Sequence, residues 1–326
     1  MADQTHPHHD TGYKELFSYP EFVQALIEGF TFDELAELMD FSTLKNHSGH
    51  YITPLFEEKI EDIVWSVEIT FGESRQRLFL YILLEFQSKV DLTMPIRLLH
   101  YVACFYDHLI KTGQTTPSQG LPPVFPVLVY NGSRRWTAQP DMYDLIHPEP
   151  PVFLQRYQPH LRYYVIDIGR YTEQELDQRP TPLSGVFQVE NVVGPEQLHH
   201  AIERMVALIQ SDPNRGRIDK VVTRWLKRHL KRLGAEVNLD PINSVVEDKT
   251  MLAENLEQWI EQERQKWRQQ GEQKGRQEGE EIGLHKGQRQ TAIKLLTLGM
   301  LTDEQIAQVT GLTLAEVKTL RSNQTH

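Results

Sequence analysis

The stretch from Asp62 to Lys89 reads DIVWSVEIT, then FGESRQR, then LFLYILLEFQSK, and it decides the fold of the chain. Its first part carries an apolar residue at every second position, which is typical of a strand with one buried face. Its last part is almost wholly apolar, as in a strand that is covered on both faces. Gly72 and its polar neighbours lie between the two parts and favour a turn. The stretch therefore predicts a β-hairpin.

The geometry of a hairpin brings three polar residues of this stretch together. If the hairpin is symmetric about Glu73 and Ser74, Asp62 lies opposite Glu85, with the two Cβ atoms roughly 5 Å apart. Gln87 shares a face with Glu85 because the two residues are two positions apart. Hard oxygen ligands of this kind suit Mg²⁺, although a register slip of one residue would separate the carboxylates. The alternative from spacing alone is that Glu85 and Gln87 merely end a buried strand.

Four segments of the sequence together resemble one known family. They are HDTGYKELFS at positions 9–18, LEFQS at 84–88, MPIRLLHY at 94–101 and FPVLVYNG at 125–132, with Asp62 between the first two. In this order they are similar to the Rpn-like recombination-promoting nucleases, also described as transposases, of the PD-(D/E)XK nuclease superfamily. The resemblance covers about the first two thirds of the chain.

The resemblance implies a fold, an activity and a site. The fold is α/β, a restriction-endonuclease-like mixed sheet flanked by helices and followed by a helical C-terminal extension. The activity is that of a divalent-metal-dependent DNA endonuclease that promotes recombination, associated with mobile elements or phage defence. Asp62 and Glu85 are the implied ligands of Mg²⁺ or another divalent cation, and Asp62, Glu85 and Gln87 the implied catalytic residues.

Gln87 stands where the superfamily commonly has lysine. Glutamine can orient a water molecule by hydrogen bonds, but it carries no charge, which puts the rate in doubt even though the Rpn-like family itself commonly has glutamine there. The alternative function is therefore a catalytically weak or inactive nuclease-fold protein that acts as a DNA-binding or protein-interaction module. A DDE-type transposase is disfavoured because the sequence shows no third well-placed carboxylate.

Composition limits the class of protein. The chain has 326 residues, 39% hydrophobic and 24% charged, which is enough to bury a substantial core. No apolar run approaches the roughly 20 residues that span a bilayer, and the polar segment at positions 1–10 is unlike a signal peptide. The single cysteine, Cys104, allows no internal disulfide and fits a reducing cytoplasm. The net charge of −11 argues mildly against nucleic acid, but local patches rather than totals form a binding surface. We expect a cytoplasmic protein without membrane segments, with double-stranded DNA as its partner.

Two sets of basic residues are candidates for contacts with DNA phosphates. Arg97 lies in the first turns of a helix predicted for residues 92–111, where it could reach a phosphate or pair with Glu85 or Asp91. The most basic helix is predicted for residues 215–232, and such a helix either follows a phosphate backbone or presents a solvated face. Its candidate residues are Lys227, Arg228, Lys231 and Arg232.

The sequence predicts three parts. Residues 1–235 form the nuclease-like domain, although residues 180–194 read as irregular. Residues 236–290 form a long helix, begun near Pro241, and then a segment with glycine at every fourth position. Those glycines are Gly271, Gly275, Gly279, Gly283 and Gly287. Each costs about 1 kcal/mol relative to alanine in a helix, which predicts a marginal helix or a flexible tether that could also support a homo-oligomer.

The third part, residues 291–326, reads as a small helical, helix-turn-helix-like module. A short helix over residues 292–298 precedes two helices that are separated by Gly311, Leu312 and Thr313. Only Lys318 and Arg321 are basic on the last helix, whereas a recognition helix usually has more base-reading side chains. The pattern favours a packing or interaction module over a DNA-reading one.

Overall fold

The computed structural model describes residues 8–47, 63–71 and 76–324. The chain forms two compact units, residues 1–259 and residues 260–326. The strands are β1 (Met39–Asn46), β2 (Ile63–Phe71), β3 (Gln76–Gln87), β4 (Val124–Tyr130) and β5 (Tyr164–Asp167). The α-helices that begin before residue 200 are α1 (His8–Leu16), α2 (Pro20–Phe30), α3 (Asp33–Leu38), α4 (Met94–Lys111), α5 (Val152–Gln155), α6 (Glu173–Asp177), α7 (Pro182–Asn191) and α8 (Pro195–Ser211). The others are α9 (Arg215–Arg232), α10 (Lys249–Leu298), α11 (Asp303–Thr310) and α12 (Leu314–Gln324).

The described strands form one mixed sheet in the order β1-β2-β3-β4-β5. The pairs β1–β2 and β2–β3 are antiparallel, whereas β3–β4 and β4–β5 are parallel. Helix α4 makes the crossover from β3 to β4 that a parallel pair requires. The mixed sheet, its flanking helices and the helical C-terminal extension confirm the predicted fold class.

The hairpin of β2 and β3 has the predicted register. Its pairs run from Ile63 opposite Leu84 to Phe71 opposite Gln76. A hairpin that places Asp62 opposite Glu85 has this same pairing, so the predicted register is confirmed over the described part. Asp62 itself lies outside the described residues.

Strand β3 is covered on both faces, as its apolar sequence predicts. On one face, the ring of Phe86 lies 6.1 Å from that of Tyr13 and 5.4 Å from that of Phe17, between ring centroids. On the other face, Tyr81 packs against Phe105 of α4 at 4.7 Å. Each large apolar side chain buried in this way contributes roughly 1.5–3 kcal/mol. The alternation along β3 thus separates a face under α1 from a face under α4.

Residues 182–191 form a helix, so the irregular structure predicted for residues 180–194 is wrong. Thr181 and Ser184 make a capping box, and Pro182 lies in the first turn, where a proline needs no amide hydrogen. The sequence hides this helix because α7 is buried on nearly all sides and has no polar stripe. Gly185 lets α7 approach α8 closely, since a Cβ at this position would lie 2.9 Å from the Cα of Met205.

Helix α10 begins at Lys249 rather than near Pro241. The Asp248 carboxylate accepts hydrogen bonds from the backbone amides of Asn243 and Ser244, which fixes a turn before the helix. The helix then continues through all five glycines to Leu298, so the predicted helix over residues 292–298 is its last part. Ion pairs four residues apart support the glycine-rich part. They join Arg268 to Glu272, Lys274 to Glu278 and Arg276 to Glu280.

The second unit has its own small core. Ala292 and Leu296 pack with residues of α11, α12 and the turn between them, namely Ile306, Leu312, Val317 and Leu320. Gly311 ends α11 with a φ of 76°, a left-handed conformation that favours glycine. Arg321, one of the two basic residues on α12, is paired with Asp303 at 2.7 Å. Over residues 8–47, 63–71 and 76–324, no helix is both long and apolar enough to cross a lipid bilayer.

We predict that Gly185→Ala lowers the free energy of unfolding by about 1–3 kcal/mol, because the added methyl group meets the backbone of α8. Gly216→Ala is the matched control, since a Cβ there has open space around it. The control should leave stability unchanged or raise it by up to about 1 kcal/mol. Denaturant unfolding of both variants checks this, and equal stability of the two would contradict the close approach.

We also predict that alanine at all five positions of the glycine series slows proteolysis between residues 271 and 287. The glycines weaken this part of α10 by roughly 5 kcal/mol in all, at about 1 kcal/mol each, so it should open locally more often than the rest of the helix. Limited proteolysis followed by mass spectrometry locates the cuts. Equal cleavage of the wild-type and alanine proteins would show that the glycines do not limit local stability.

Candidate active site

Glu85 and Gln87 lie on one face at the carboxyl end of β3. The side chain of Glu85 is only 5% exposed, and Gln87 Nε2 donates a hydrogen bond of 2.7 Å to Glu85 Oε1. A buried carboxylate requires compensating donors, because the transfer of an unpaired charge out of water is very costly. The structure therefore brings together two of the three residues that the sequence predicts as catalytic.

Arg97 is the second donor to Glu85. Its Nη2 lies 2.9 Å from Glu85 Oε1, and its Nη1 lies 2.8 Å from Asp91 Oδ2. The Tyr101 hydroxyl accepts further hydrogen bonds from Nη2 and Nε at 2.9 and 3.2 Å. Burial disfavours the Arg97 charge, but Glu85 and the hydrogen bond to Asp91 outweigh it and raise the pKa of the guanidinium above its ordinary value. The sequence allows Arg97 either to reach a phosphate or to pair with Glu85 or Asp91, and in the structure Arg97 pairs with both carboxylates.

Asp91 connects this ion pair to the start of α4. Its Oδ1 accepts hydrogen bonds from the backbone amide and the hydroxyl of Thr93, at 2.8 and 2.6 Å. Burial raises the pKa of Asp91, but the hydrogen bonds from Thr93 and Arg97 outweigh it and hold the pKa below its ordinary value. Asp91 is thus a fixed anion that holds the guanidinium beside Glu85.

A further carboxylate lies at the same edge of the sheet. Gln87 is paired with Tyr130, and Tyr130 with Asp167, so the three side chains share a face. Asp167 is 7% exposed and accepts a hydrogen bond of 3.1 Å from the backbone amide of Trp136. Burial, followed by the Asp167 charge, raises the pKa of the Tyr130 phenol. Asp167 is not among the residues that the sequence predicts for the site, although an acidic residue that ends an apolar strand is the signal that could have found it.

The described part of the site is not a complete metal centre. No group of three or more histidine, cysteine, aspartate or glutamate residues that could hold a metal ion occurs among the described residues. Asp62, the third predicted residue and second predicted ligand, lies outside them. The metal ligands Asp62 and Glu85 therefore stay predictions.

A second polar cluster lies on the opposite face of the sheet, around Glu190. Its carboxylate accepts hydrogen bonds from the Tyr13 hydroxyl at 3.3 Å, Asn131 Nδ2 at 3.2 Å and Arg232 Nη2 at 2.7 Å, and lies 3.3 Å from His229 Nδ1. Burial, together with the charge of Glu190, raises the pKa of Tyr13 well above its ordinary value. Two of the segments that resemble the family, those containing Tyr13 and Asn131, thus meet at a buried structural carboxylate.

The four candidate basic residues of α9 divide into two groups. Arg228 pairs with Glu15, which also binds Arg224, and Arg232 pairs with Glu190. Lys227 and Lys231 have no carboxylate partner in the part of the chain that the structure describes. The arginines tie α9 to other helices, which leaves the two lysines as the stronger candidates for phosphate contacts.

Comparison with known proteins gives a family match over most of the chain. A family model described as "Putative transposase, YhgA-like" matches residues 7–218. No solved structure matches.

Several curated relatives are similar over shorter stretches. Recombination-promoting nuclease RpnD of Escherichia coli O157:H7 is 30% identical over 126 residues, which cover 39% of this chain and 46% of RpnD. Recombination-promoting nuclease RpnC of Escherichia coli (strain K12) is 30% identical over 132 residues, which cover 40% of this chain and 41% of RpnC. Inactive recombination-promoting nuclease-like protein RpnE of the same strain is 26% identical over 124 residues, 38% of this chain and 39% of RpnE. The chain thus spans less than half the length of each of these relatives.

We predict that the double change Lys227→Gln and Lys231→Gln lowers the log–log salt slope of DNA binding by roughly 1.8, at about 0.9 per phosphate contact, without lowering the melting temperature. The matched double change Arg228→Gln and Arg232→Gln should lower the melting temperature, because it leaves Glu15 and the buried Glu190 with fewer partners. Fluorescence anisotropy with a labelled duplex and thermal unfolding measure the two effects. If the loss of the two lysines leaves the salt slope unchanged, α9 is not part of the DNA interface.

Proposed function

We propose, because this chain belongs to the YhgA-like transposase family, that it is a divalent-metal-dependent DNA endonuclease that promotes recombination. The observation that carries the proposal is the placement of Glu85 and Gln87 on one face of β3, in the register that pairs Ile63 with Leu84. The names of RpnD and RpnC support a nuclease role. The proposed setting is the cytoplasm, in mobile-element recombination or phage defence, with double-stranded DNA as substrate.

The donor set fits a hard divalent cation in its chemistry. Glu85 offers a carboxylate and Gln87 an amide oxygen, and Asp62 is the carboxylate that the proposal adds. Arg97 sets a condition, because its guanidinium already neutralises Glu85 Oε1. Metal binding at Glu85 therefore requires either that Arg97 turns away or that the cation uses the second carboxylate oxygen.

The residues have separate roles in the proposed reaction. When bound, Mg²⁺ would supply a Lewis acid for the phosphodiester and lower the pKa of a bound water. Asp62 and Glu85 would hold the ion, and the amide of Gln87 would orient a water molecule by hydrogen bonding. Lys227 and Lys231 contact the DNA backbone, and Arg97 offers a planar donor for a phosphate oxygen. The proposal includes a homo-oligomer formed through the C-terminal helices.

A second candidate function is a nuclease-fold protein without cleavage activity that binds DNA or another protein. Two observations favour it. Glu85 is engaged by Arg97, and the position after Phe86 carries neutral glutamine instead of lysine. The relative RpnE is named as inactive. The two functions differ in one measurable property, which is metal-dependent cleavage.

We predict that Asp62→Asn and Glu85→Gln each reduce Mg²⁺-dependent nicking of a supercoiled plasmid by roughly 100-fold or more. The ligands support several kcal/mol of transition-state stabilisation, and every 1.36 kcal/mol is about tenfold in rate. Both changes preserve the side-chain shape, but Glu85→Gln also removes a charge that is paired with Arg97, so thermal unfolding of each variant is measured beside its activity. Glu28→Gln is the control, because Glu28 is a carboxylate on α2 that is hydrogen-bonded to Gln24. A wild-type protein that binds DNA but nicks no plasmid with Mg²⁺ or Mn²⁺ would establish the second function instead.

A further inference from the structure

Arg97 holds two carboxylates of different exposure at the same time. Glu85 is 5% exposed and Asp91 is 27% exposed, and the guanidinium is 2.9 and 2.8 Å from their nearest oxygens. Asp91 has a second anchor, since its other oxygen is held by Thr93 at the start of α4. Within the described part of the chain, Arg97 is the one residue of α4 that is bonded to Glu85. The two carboxylates that Arg97 joins therefore differ in how firmly they are attached to the helix.

Because Asp91 is the better anchored of the two carboxylates, the guanidinium can move away from Glu85 while it stays bonded to Asp91. The side chain of Arg97 is 35% exposed, and its guanidinium is already bonded to the more exposed carboxylate and to the Tyr101 hydroxyl. A movement that breaks only its contact with Glu85 would keep Nη1 on Asp91 and Nη2 on Tyr101, and would release one Nη2 hydrogen for a phosphate oxygen. The position it leaves, beside Glu85 Oε1, is the one that a cation ligated by this oxygen would take.

We propose that Arg97 is a gate that keeps divalent cations off Glu85 until a DNA phosphate draws the guanidinium away. This inference rests on the proposed function. Arginine suits the role because its fork binds carboxylates and phosphates by the same bidentate geometry. A cation and the guanidinium compete for one carboxylate oxygen, and their like charges repel each other. Because coupling between two ligands is reciprocal, DNA and the metal should each raise the affinity for the other by the same factor.

The simpler role for Arg97 is that of a positioning residue that holds Glu85 in place for the metal. The two roles differ in sign. Removal of a gate strengthens metal binding in the absence of DNA, whereas removal of a positioning residue weakens it. Metal binding alone, without any cleavage, therefore decides between them.

The test is calorimetric titration of the full chain with Mn²⁺, with and without a short phosphorothioate duplex that resists cleavage. Arg97→Gln should lower the Kd for Mn²⁺ by about tenfold without DNA and should abolish the effect of DNA on that Kd. Lys111→Gln is the matched control, because it removes a cation of the same helix that is paired with Asp107. Its Kd should equal that of the wild-type protein.

Two further variants keep the test decisive. Arg97→Lys keeps the positive charge but loses the fork that spans Glu85 and Asp91, and should lower the Kd by a smaller factor, even if Arg97→Gln does not fold. Glu85→Gln should abolish the binding. If Glu85→Gln abolishes binding while Arg97→Gln leaves the Kd unchanged or raises it, the gate is wrong and the proposed metal site stands. If Glu85→Gln binds Mn²⁺ as tightly as the wild-type protein, or if the wild-type protein and both Arg97 variants all fail to bind Mn²⁺, the proposed metal site itself is wrong.

Discussion

The two-sided burial of β3 is the constraint on which the rest of the first unit depends. The strand pairs antiparallel with β2 and parallel with β4, so both of its edges and both of its faces are occupied. Its side chains alternate between a face under α1 and a face under α4, and a slip of one residue would exchange them. Phe86 would then lie beside Arg97, and Glu85 would lie among the aromatic rings of α1. The cost of burying an unpaired carboxylate thus fixes the register as firmly as the apolar packing does.

The local part of this arrangement is predictable from the sequence. Alternation identifies β2, an apolar run identifies β3, and the turn between them sets the register that pairs Ile63 with Leu84. The contacts of Arg97 are not predictable, because a long side chain chooses among Glu85, Asp91 and a phosphate by distances that only the folded chain sets. The place of Asp167 in the site is not predictable for a related reason. Its position beside Tyr130 depends on the order in which β3, β4 and β5 pair.

The helical errors have two different physical origins. Helix α7 has no amphipathic pattern because it is buried on nearly all sides. The capping box at Thr181 is the feature of its sequence that indicates a helix start. Helix α10 begins at Lys249 rather than near Pro241, because the Asp248 carboxylate binds the amides of Asn243 and Ser244 and fixes a turn there. Its glycine series is helical, which is one of the two predicted forms. In the first case packing forms the helix, and in the second case a local side-chain contact determines where the helix begins.

The Glu190 cluster limits how far the first unit can be truncated from its C-terminal side. The family match ends at residue 218, inside α9, whereas His229 and Arg232 belong to the later turns of that helix. A protein shortened to the matched region would keep the buried carboxylate of Glu190 and lose its partners Arg232 and His229, together with the Arg224 and Arg228 partners of Glu15. An uncompensated buried charge costs about 3–5 kcal/mol, which is a large fraction of the stability of an ordinary domain. The region that sequence similarity marks as the family is therefore shorter than the region that folds as one piece, and fragments for crystallisation or fusion should extend beyond α9.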